Sequence, residues 1–160
     1  MTRSPFGWQS GEFLTNEHAG LGNQFLNNVG YNCRGPAFYQ SGGNGLVNGN
    51  QFTLCRAALQ LDNNAGTVTF TNNTIDQIGT VSGQVAFGAA VDILSGCGSG
   101  CSITGNTFTN VGPYLSESST IELAGGGGTF SNNTVSTGNG KYNPISAGSG
   151  WTLLNNKIVP

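Results

Sequence analysis

Ile103-Thr104-Gly105-Asn106-Thr107-Phe108 and Phe130-Ser131-Asn132-Asn133-Thr134-Val135 follow one pattern: apolar, any residue, Gly or Asn, Asn, any residue, apolar. Full or shortened copies also occur at Leu21–Phe25, Asn48–Phe52, Phe70–Ile75 and Leu153–Ile158. The shared asparagines are Asn23, Asn50, Asn73, Asn106, Asn133 and Asn156, at intervals of 27, 23, 33, 27 and 23 residues. A pattern that recurs at irregular intervals of this length indicates a solenoid whose coils carry loops of different length.

Asparagine suits a repeated corner for two physical reasons. It tolerates the left-handed backbone conformation better than other non-glycine residues. Its side-chain amide also donates and accepts, so asparagines stacked from coil to coil can satisfy one another. The flanking apolar residues are expected to point inward, with the alternating Thr and Ser outward. The repeat therefore predicts an all-β parallel β-helix of about six coils with an Asn ladder along one corner.

A second landmark lies half a coil after each corner. It is a short alternating strand that runs into a turn rich in Gly or Asn. Its copies are Phe38–Gly42, Leu59–Asp62, Val91–Leu94, Ile121–Ala124 and Ile145–Gly148. One coil is thus expected to read strand, Gly turn, strand, Asn corner, strand and variable loop. A β-sandwich or up-and-down barrel is disfavoured, because it would need hairpin signals with two-residue turns.

Composition narrows the class of protein. The 160 residues predict a single domain, 1–160, rich in glycine, with 27 copies. Only 8% of the residues are charged and the net charge is −2, so a basic stripe for nucleic acid is absent. No apolar run approaches the roughly 20 residues that span a bilayer. We therefore expect no membrane partner. The N-terminal residues lack the apolar segment of a signal peptide, so we also expect no leader within this sequence.

The repeat resembles the right-handed parallel β-helix superfamily of pectate lyases, polygalacturonases, alginate lyases, epimerases and phage tailspikes. The resemblance covers nearly the whole chain and rests on the two hexapeptides quoted first. It implies that the Asn corner joins the second and third strands of each coil, and that the variable loop leads to the first. It also implies that the first strand faces the substrate. That strand carries Tyr39, Gln60, Asp92, Glu122 and Ser146 at equivalent outward positions.

The ends of the sequence suggest an incomplete solenoid. Phe13–Gly20 aligns with Leu59–Gly66, so the chain is expected to begin partway into a coil. It stops at Pro160, just after an Asn corner, and neither end shows a capping helix. We expect a segment of a longer protein, a partner that covers the ends, end-to-end stacking, or a homotrimer like those of tailspikes.

Asp92 and Glu122 form the first candidate site, because adjacent coils lie about 4.8 Å apart. Two carboxylates roughly 5 to 9 Å apart are what glycoside hydrolysis requires. The same pair could instead bind Ca²⁺ beside a uronate. The competing interpretation is a solvated polar face. The chain lacks the paired-aspartate and His-Gly motifs of polygalacturonases, which weakens the hydrolase interpretation.

The variable loops supply the other candidate residues. Arg34, Arg56 and Lys141 could contact a uronate or serve as the base of a lyase, with Arg56 the favoured catalytic residue. Arginine binds carboxylates in a bidentate manner, but acting as a base requires a lowered pKa. Tyr114 and Tyr142 offer rings for sugar stacking. The predicted substrate-binding set is Tyr39, Gln60, Arg34, Tyr114, Lys141 and Tyr142, and the alternative for the charged members is ordinary surface charge.

Four cysteines bear on the compartment. Cys33 and Cys55 occupy matching places in adjacent coils, where they should stack as a disulfide or as a thiol ladder. Cys97 and Cys101 close a small Gly-rich turn and could pair within it. A Cys₄ zinc site is disfavoured, because the two pairs fall on different coils. Cysteine usage is compatible with an oxidising compartment.

The favoured function is an extracellular β-helix domain that engages polysaccharide along the first strands. Whether it is an enzyme stays open. A lyase acting on uronate-containing glycans is the preferred activity and a glycoside hydrolase the second. The alternatives are a non-catalytic carbohydrate-binding or adhesion module of tailspike type and a self-assembling structural β-helix.

Overall fold

The computed structural model describes residues 14–16, 22–33, 35–61, 66–80, 89–93, 97, 100–115 and 117–160. Within these ranges the chain forms eighteen short strands and no helix. In chain order they are β1 (Leu14–Asn16), β2 (Asn23–Leu26), β3 (Val29–Tyr31), β4 (Pro36–Gln40), β5 (Gly45–Asn48), β6 (Gln51–Thr53), β7 (Ala57–Leu61), β8 (Val68–Thr71), β9 (Thr74–Asp76), β10 (Val91–Ile93), β11 (Cys101–Thr104), β12 (Thr107–Thr109), β13 (Ser119–Leu123), β14 (Gly128–Ser131), β15 (Thr134–Ser136), β16 (Asn143–Ala147), β17 (Trp151–Leu154) and β18 (Lys157–Val159).

The strands build three parallel sheets, each six strands deep. Sheet A is β1-β4-β7-β10-β13-β16, sheet B is β2-β5-β8-β11-β14-β17 and sheet C is β3-β6-β9-β12-β15-β18. Each coil contributes one strand to each sheet, so the solenoid makes about five turns from β1 to β16. The Asn corner separates sheets B and C, and the variable loops lead from sheet C to sheet A. The predicted parallel β-helix and its order of elements are confirmed. Among the described residues, no helix is long and apolar enough to cross a membrane.

Inward-facing apolar residues form continuous columns between the sheets. Sheet B contributes Val47, Phe70, Ile103 and Phe130, and sheet C contributes Phe52, Ile75, Phe108 and Val135, all fully buried or nearly so. Phe108 and Phe130 stack with ring centroids 6.4 Å apart. Because each coil buries its apolar face only against its neighbours, the core extends along the solenoid axis.

The Asn ladder exists, but its first rung was assigned wrongly. The side chains of Asn50, Asn73, Asn106, Asn133 and Asn156 bond from coil to coil at 2.9–3.2 Å. The rung below Asn50 is Asn28, whose Nδ2 donates to the Asn50 Oδ1 at 2.9 Å. Asn23 instead begins strand β2, opposite Gly45. The copy of the motif that contains Asn28 ends at Gly30, which occupies the inward position that Phe52 fills in the next coil. Because this copy ends without an apolar residue, the pattern did not identify it.

The left-handed backbone also falls one residue earlier than expected. Positive φ occurs at Asn27, Gly49, Asn72, Gly105, Asn132 and Asn155, each immediately before a ladder rung. The rungs themselves are free to direct their amides along the solenoid axis. This explains why the position before each rung is always Gly or Asn, since these residues enter that conformation at low cost.

A second stacked corner ends sheet C, at a position that the sequence analysis did not predict. Asn32, Leu54, Gln77 and Asn110 all have φ between 50° and 60°. The backbone N–H of each of the first three donates to the coil above at 3.0–3.1 Å. Two of them are asparagine, but Leu54 and Gln77 are not, so no single motif marks the position. The coil-to-coil hydrogen bonds hold the left-handed backbone there.

The N-terminal alignment slips by one residue. Leu14 lies opposite Phe38, which in turn lies opposite Leu59, so Leu14 and not Phe13 is the equivalent of Leu59. A one-residue shift exchanges the two faces of a strand. Phe13 itself lies outside the described residues.

Both cysteine pairs are disulfides. Cys33 and Cys55 join adjacent coils with Cα atoms 4.4 Å apart, and Cys97 and Cys101 close the turn between sheets A and B. These findings decide the alternative between disulfide and thiol ladder. Two disulfides are consistent with an extracellular protein.

Loss of the inter-coil disulfide should cost measurable stability. The Cys33–Cys55 bond closes a loop of 22 residues, and loop-closure entropy predicts a contribution of roughly 3 kcal/mol. We expect the Cys33→Ser/Cys55→Ser double variant to lose about that free energy of unfolding in a denaturant titration under oxidising conditions. The Cys97→Ser/Cys101→Ser variant, which opens a much shorter loop, is the comparison. An equal or larger loss in that second variant would contradict the loop-length argument.

Candidate functional site

The outward column of sheet A has the register that the sequence predicted. Tyr39 pairs with Gln60, Gln60 with Asp92, Asp92 with Glu122, and Glu122 with Ser146, each on the neighbouring strand. Asp92 and Glu122 therefore stand on adjacent coils at equivalent positions. Strands pair at about 4.8 Å, so these two side chains leave the sheet side by side.

Most of this column is covered. Tyr39, Gln60 and Asp92 are only 8%, 6% and 5% exposed, whereas Glu122 and Ser146 are half-buried. Two residues before each column member, the same face carries Ala37, Ala58, Ala90 and Thr120, all fully buried. Thr120 donates its hydroxyl to the Ser136 carbonyl at 2.8 Å. The accessible part of the column is therefore limited to Glu122 and Ser146 on the last two coils.

The accessible pair is hydrogen-bonded. Ser146 Oγ donates to Glu122 Oε1 at 3.0 Å, which leaves the other carboxylate oxygen for a ligand. A calcium ion takes about six to eight oxygen ligands. Asp92, Glu122 and Ser146 offer carboxylate and hydroxyl oxygens of the right type. In the parts of the chain that the structure describes, no group of three or more His, Cys, Asp or Glu residues comes together. A cation held by Asp92 and Glu122 would thus draw further ligands from backbone, water or substrate.

Arg56 lies at the opposite end of its strand from the column. It immediately precedes β7, four residues before Gln60, or about 13 Å at the rise of an extended strand. Its backbone N–H donates to the Cys33 carbonyl at 3.2 Å. Burial lowers the pKa of the guanidinium by desolvation. The direction is the one a catalytic base needs, although arginine holds its proton very strongly. Arg34, its predicted counterpart, lies outside the described residues.

Lys141 and Tyr142, two of the predicted binding residues, lie together at an open cleft. Lys141 Nζ donates to the Pro113 carbonyl and lies 5.3 Å from the centre of the Tyr142 ring. The Tyr142 hydroxyl accepts a hydrogen bond from the Leu115 N–H at 3.1 Å, and its ring is buried. Tyr142 is therefore a support for the cleft wall. Tyr114, on the loop that Lys141 contacts, is 41% exposed.

The cleft has a volume of about 460 Å³ and lies between two variable loops. Its lining residues are Leu115, Glu117, Ser118, Gly140, Lys141, Tyr142 and Asn143. Glu117, Ser118 and Asn143 escaped the sequence analysis, because polar residues in loops carry no periodic signal. Asn143 pairs with Ser119 in register, three residues before the Glu122–Ser146 pair. The cleft and that pair are therefore about 10 Å apart along sheet A.

Residues 9–135 match the family model described as the right handed beta helix region. The chain belongs to this family. Membership fixes the hand of the solenoid and confirms the resemblance that the Asn motifs indicated. For this right-handed β-helix, neither the comparison with curated proteins nor that with solved structures returns a significant match. Its biochemical role therefore has to be argued from the site itself.

Proposed function

We propose that this right-handed β-helix is an extracellular polysaccharide-binding domain whose binding surface lies on its last two coils. The observation that carries the proposal is the open cleft between the two loops, bordered by Lys141 and close to the exposed Tyr114. The Glu122–Ser146 pair extends the same surface along sheet A. The other members of the column, Tyr39, Gln60 and Asp92, are buried on the preceding coils.

The cleft and the exposed Tyr114 beside it offer three kinds of contact with a sugar. The Tyr114 ring gives an apolar face against which a pyranose can stack. The Lys141 ammonium attracts the carboxylate of a uronate, and its bond to the Pro113 carbonyl already restricts its motion. A restricted side chain loses less entropy on binding. Glu117, Ser118 and Asn143 supply acceptors and donors for hydroxyl groups. Lys141 is the contact that would favour a uronate-containing glycan over a neutral one.

A lyase is the second candidate, favoured by the Asp92–Glu122 register and by the lowered pKa of Arg56. In that reaction a base takes the proton next to the uronate carboxyl group, the glycosidic bond breaks, and a double bond forms in the sugar. Calcium at Asp92 and Glu122 would neutralise the carboxylate when bound. Arg56, about 13 Å from the column along β7, is the proposed base. The burial of Asp92 and the distance from Arg56 to the open cleft make binding without turnover the better supported form.

Binding should depend on the cleft. We expect the purified chain to retain one or more uronate polymers on a glycan array, and Tyr114→Ala and Lys141→Gln each to weaken that binding about tenfold or more, which is ~1.4 kcal/mol. Lys157→Gln is the matched control, because Lys157 is also an exposed lysine but lies on sheet C. An array with no bound glycan would refute the proposed function. Equal effects of Lys141→Gln and Lys157→Gln would refute the assigned site.

The same polymers test for turnover. A lyase releases unsaturated products that absorb in the ultraviolet, and Asp92→Asn, Glu122→Gln and Arg56→Lys should each abolish their release. If the array shows binding and no such product forms with or without added Ca²⁺, the chain is a binding module. If products form and survive all three substitutions, the assigned catalytic residues are wrong.

A further inference from the structure

Tyr114, the exposed residue whose ring is proposed to stack on a sugar, is held from the coil below. Its backbone N–H donates to the Gly79 carbonyl at 3.1 Å. The buried Leu115 side chain lies against the same glycine, where an added Cβ would come 2.9 Å from Leu115 Cδ2. Gly79 also has a φ of 60°, so both its backbone and this close approach favour glycine. Although Tyr114 lies in a variable loop, its backbone is therefore fixed on one side.

The coil above holds the residues on either side of Tyr114. Lys141 Nζ donates to the Pro113 carbonyl, and the Leu115 N–H donates to the Tyr142 hydroxyl oxygen at 3.1 Å. The bond between Leu115 and Tyr142 is buried, and Tyr142 itself is only 6% exposed. A buried N–H that loses its acceptor costs more free energy than an ordinary hydrogen bond contributes. Three successive residues, 113–115, are thus each bonded through the backbone to a neighbouring coil.

The turn that carries Tyr142 is itself ordered by its backbone. Gly138, Asn139 and Gly140 have φ values of 60°, 59° and 81°, a left-handed succession that Gly and Asn adopt at low cost. The Tyr142 N–H donates to the Thr137 carbonyl at 3.0 Å, which closes the turn. A Cβ at Gly138 would lie 3.1 Å from Tyr142 Cδ2, so glycine lets the ring pack against the turn. The Tyr142 ring, and with it the hydroxyl group, is therefore fixed in place.

We propose that Tyr142 is a positioning residue for the sugar site: its hydroxyl holds the Leu115 N–H and thereby presents the Tyr114 ring as a preformed stacking face. Phenylalanine would fill the space of the buried Tyr142 ring as well, so packing alone does not require the hydroxyl. A ring on an ordered backbone loses less conformational entropy when a pyranose of a uronate polymer stacks on it than a ring on a free loop. The inference rests on the proposed function, and it replaces the predicted sugar contact of Tyr142 with an action through Tyr114.

Tyr142→Phe removes the acceptor and keeps the ring, so it tests the positioning role directly. With polygalacturonate and alginate as probes, the variant should bind roughly two- to tenfold more weakly than the unaltered chain, the factor by which one hydrogen bond shifts a loop equilibrium. The Leu115 amide should exchange its hydrogen faster by a similar factor or more. Tyr31→Phe is the matched control, because the Tyr31 side chain is 71% exposed and lies on β3, and it should change neither quantity. Circular dichroism of each variant checks that the fold is kept.

A double variant shows whether Tyr142 acts through the Tyr114 ring. Once that ring is removed the hydroxyl has nothing to position, so Tyr114→Ala/Tyr142→Phe should bind within about twofold of Tyr114→Ala alone, a coupling that a general loss of stability would not produce. Equal weakening by Tyr142→Phe in both backgrounds would overturn the positioning role, as would unchanged binding or unchanged Leu115 exchange in Tyr142→Phe itself. These outcomes leave the proposed function intact, because the unaltered chain still binds the polymers. An unaltered chain that binds neither probe and no glycan on the array overturns the proposed function, and the positioning role with it.

Discussion

Asn106→Ala should lower the free energy of unfolding by roughly 2–6 kcal/mol, because it removes four buried hydrogen bonds at about 0.5–1.5 kcal/mol each. The Asn106 Oδ1 accepts from the Asn73 backbone and side-chain N–H groups at 2.9 and 3.0 Å. Its Nδ2 donates to the Phe70 carbonyl at 2.8 Å and to the Asn133 Oδ1 at 3.0 Å. The substitution leaves the buried Asn73 N–H without its acceptor.

Asn28→Ala is the matched control for this ladder prediction. Asn28 is an end rung, half-buried, and its side chain donates one bond, to the Asn50 Oδ1. Its loss should cost about 0.5–1.5 kcal/mol. Urea titrations of both variants, followed by circular dichroism, give the two free energies. Equal costs at Asn28 and Asn106 would mean that the ladder bonds contribute little beyond the backbone of the corner.

Phe108→Ala should cost about 3–5 kcal/mol of unfolding free energy, as large-to-small substitutions of buried aromatic residues do. Phe108 is fully buried, lies between Ile75 and Val135 in its column, and stacks on Phe130 across sheets B and C. The Phe108 ring has packed neighbours on both sides along the solenoid axis. Collapse of the cavity would require adjacent coils to move closer, which their hydrogen bonds resist.

The neighbouring outward residue provides the comparison. Thr107→Ala alters a half-buried side chain on the outer face of the same strand and should change stability by less than about 1 kcal/mol. Thermal and urea unfolding of both variants separate the two contributions. If Phe108→Ala costs no more than Thr107→Ala, the central coils can repack freely, and the description of the core as a continuous stack is wrong.

The candidate site could be predicted in its register and not in its accessibility. Asp92 and Glu122 were placed on adjacent strands because both follow the alternation of sheet A, and the coil repeat aligns them. That Asp92 is buried while Glu122 is half-buried depends on what packs over the face of sheet A, where Ala58 and Ala90 are also covered. The cleft near Lys141 arises where Leu115, Glu117 and Ser118 of one loop meet Gly140 and Lys141 of another, and loop packing leaves no periodic trace in a sequence.

The sequence by itself determined the parallel solenoid, the order of elements in each coil and five of the six ladder rungs. It could do so because each coil is specified by local features, namely an Asn corner, two inward apolar residues and a Gly turn. These features recur in successive coils and lie in register along the solenoid axis. Only the tertiary structure decided that Asn28 replaces Asn23, because Gly30 hides the motif and the register of β3 against β6 is set by pairing.

The tertiary structure also decided which residues of each column face solvent. It brought Leu26 and Leu154 into one column of sheet B, although they are more than 120 positions apart and no local pattern relates them. The physical reason is the same in each case. Hydrogen bonds and side-chain alternation act between neighbouring residues and strands, so a repeat in the sequence reveals them. Burial and the clefts between loops depend instead on how the whole chain packs.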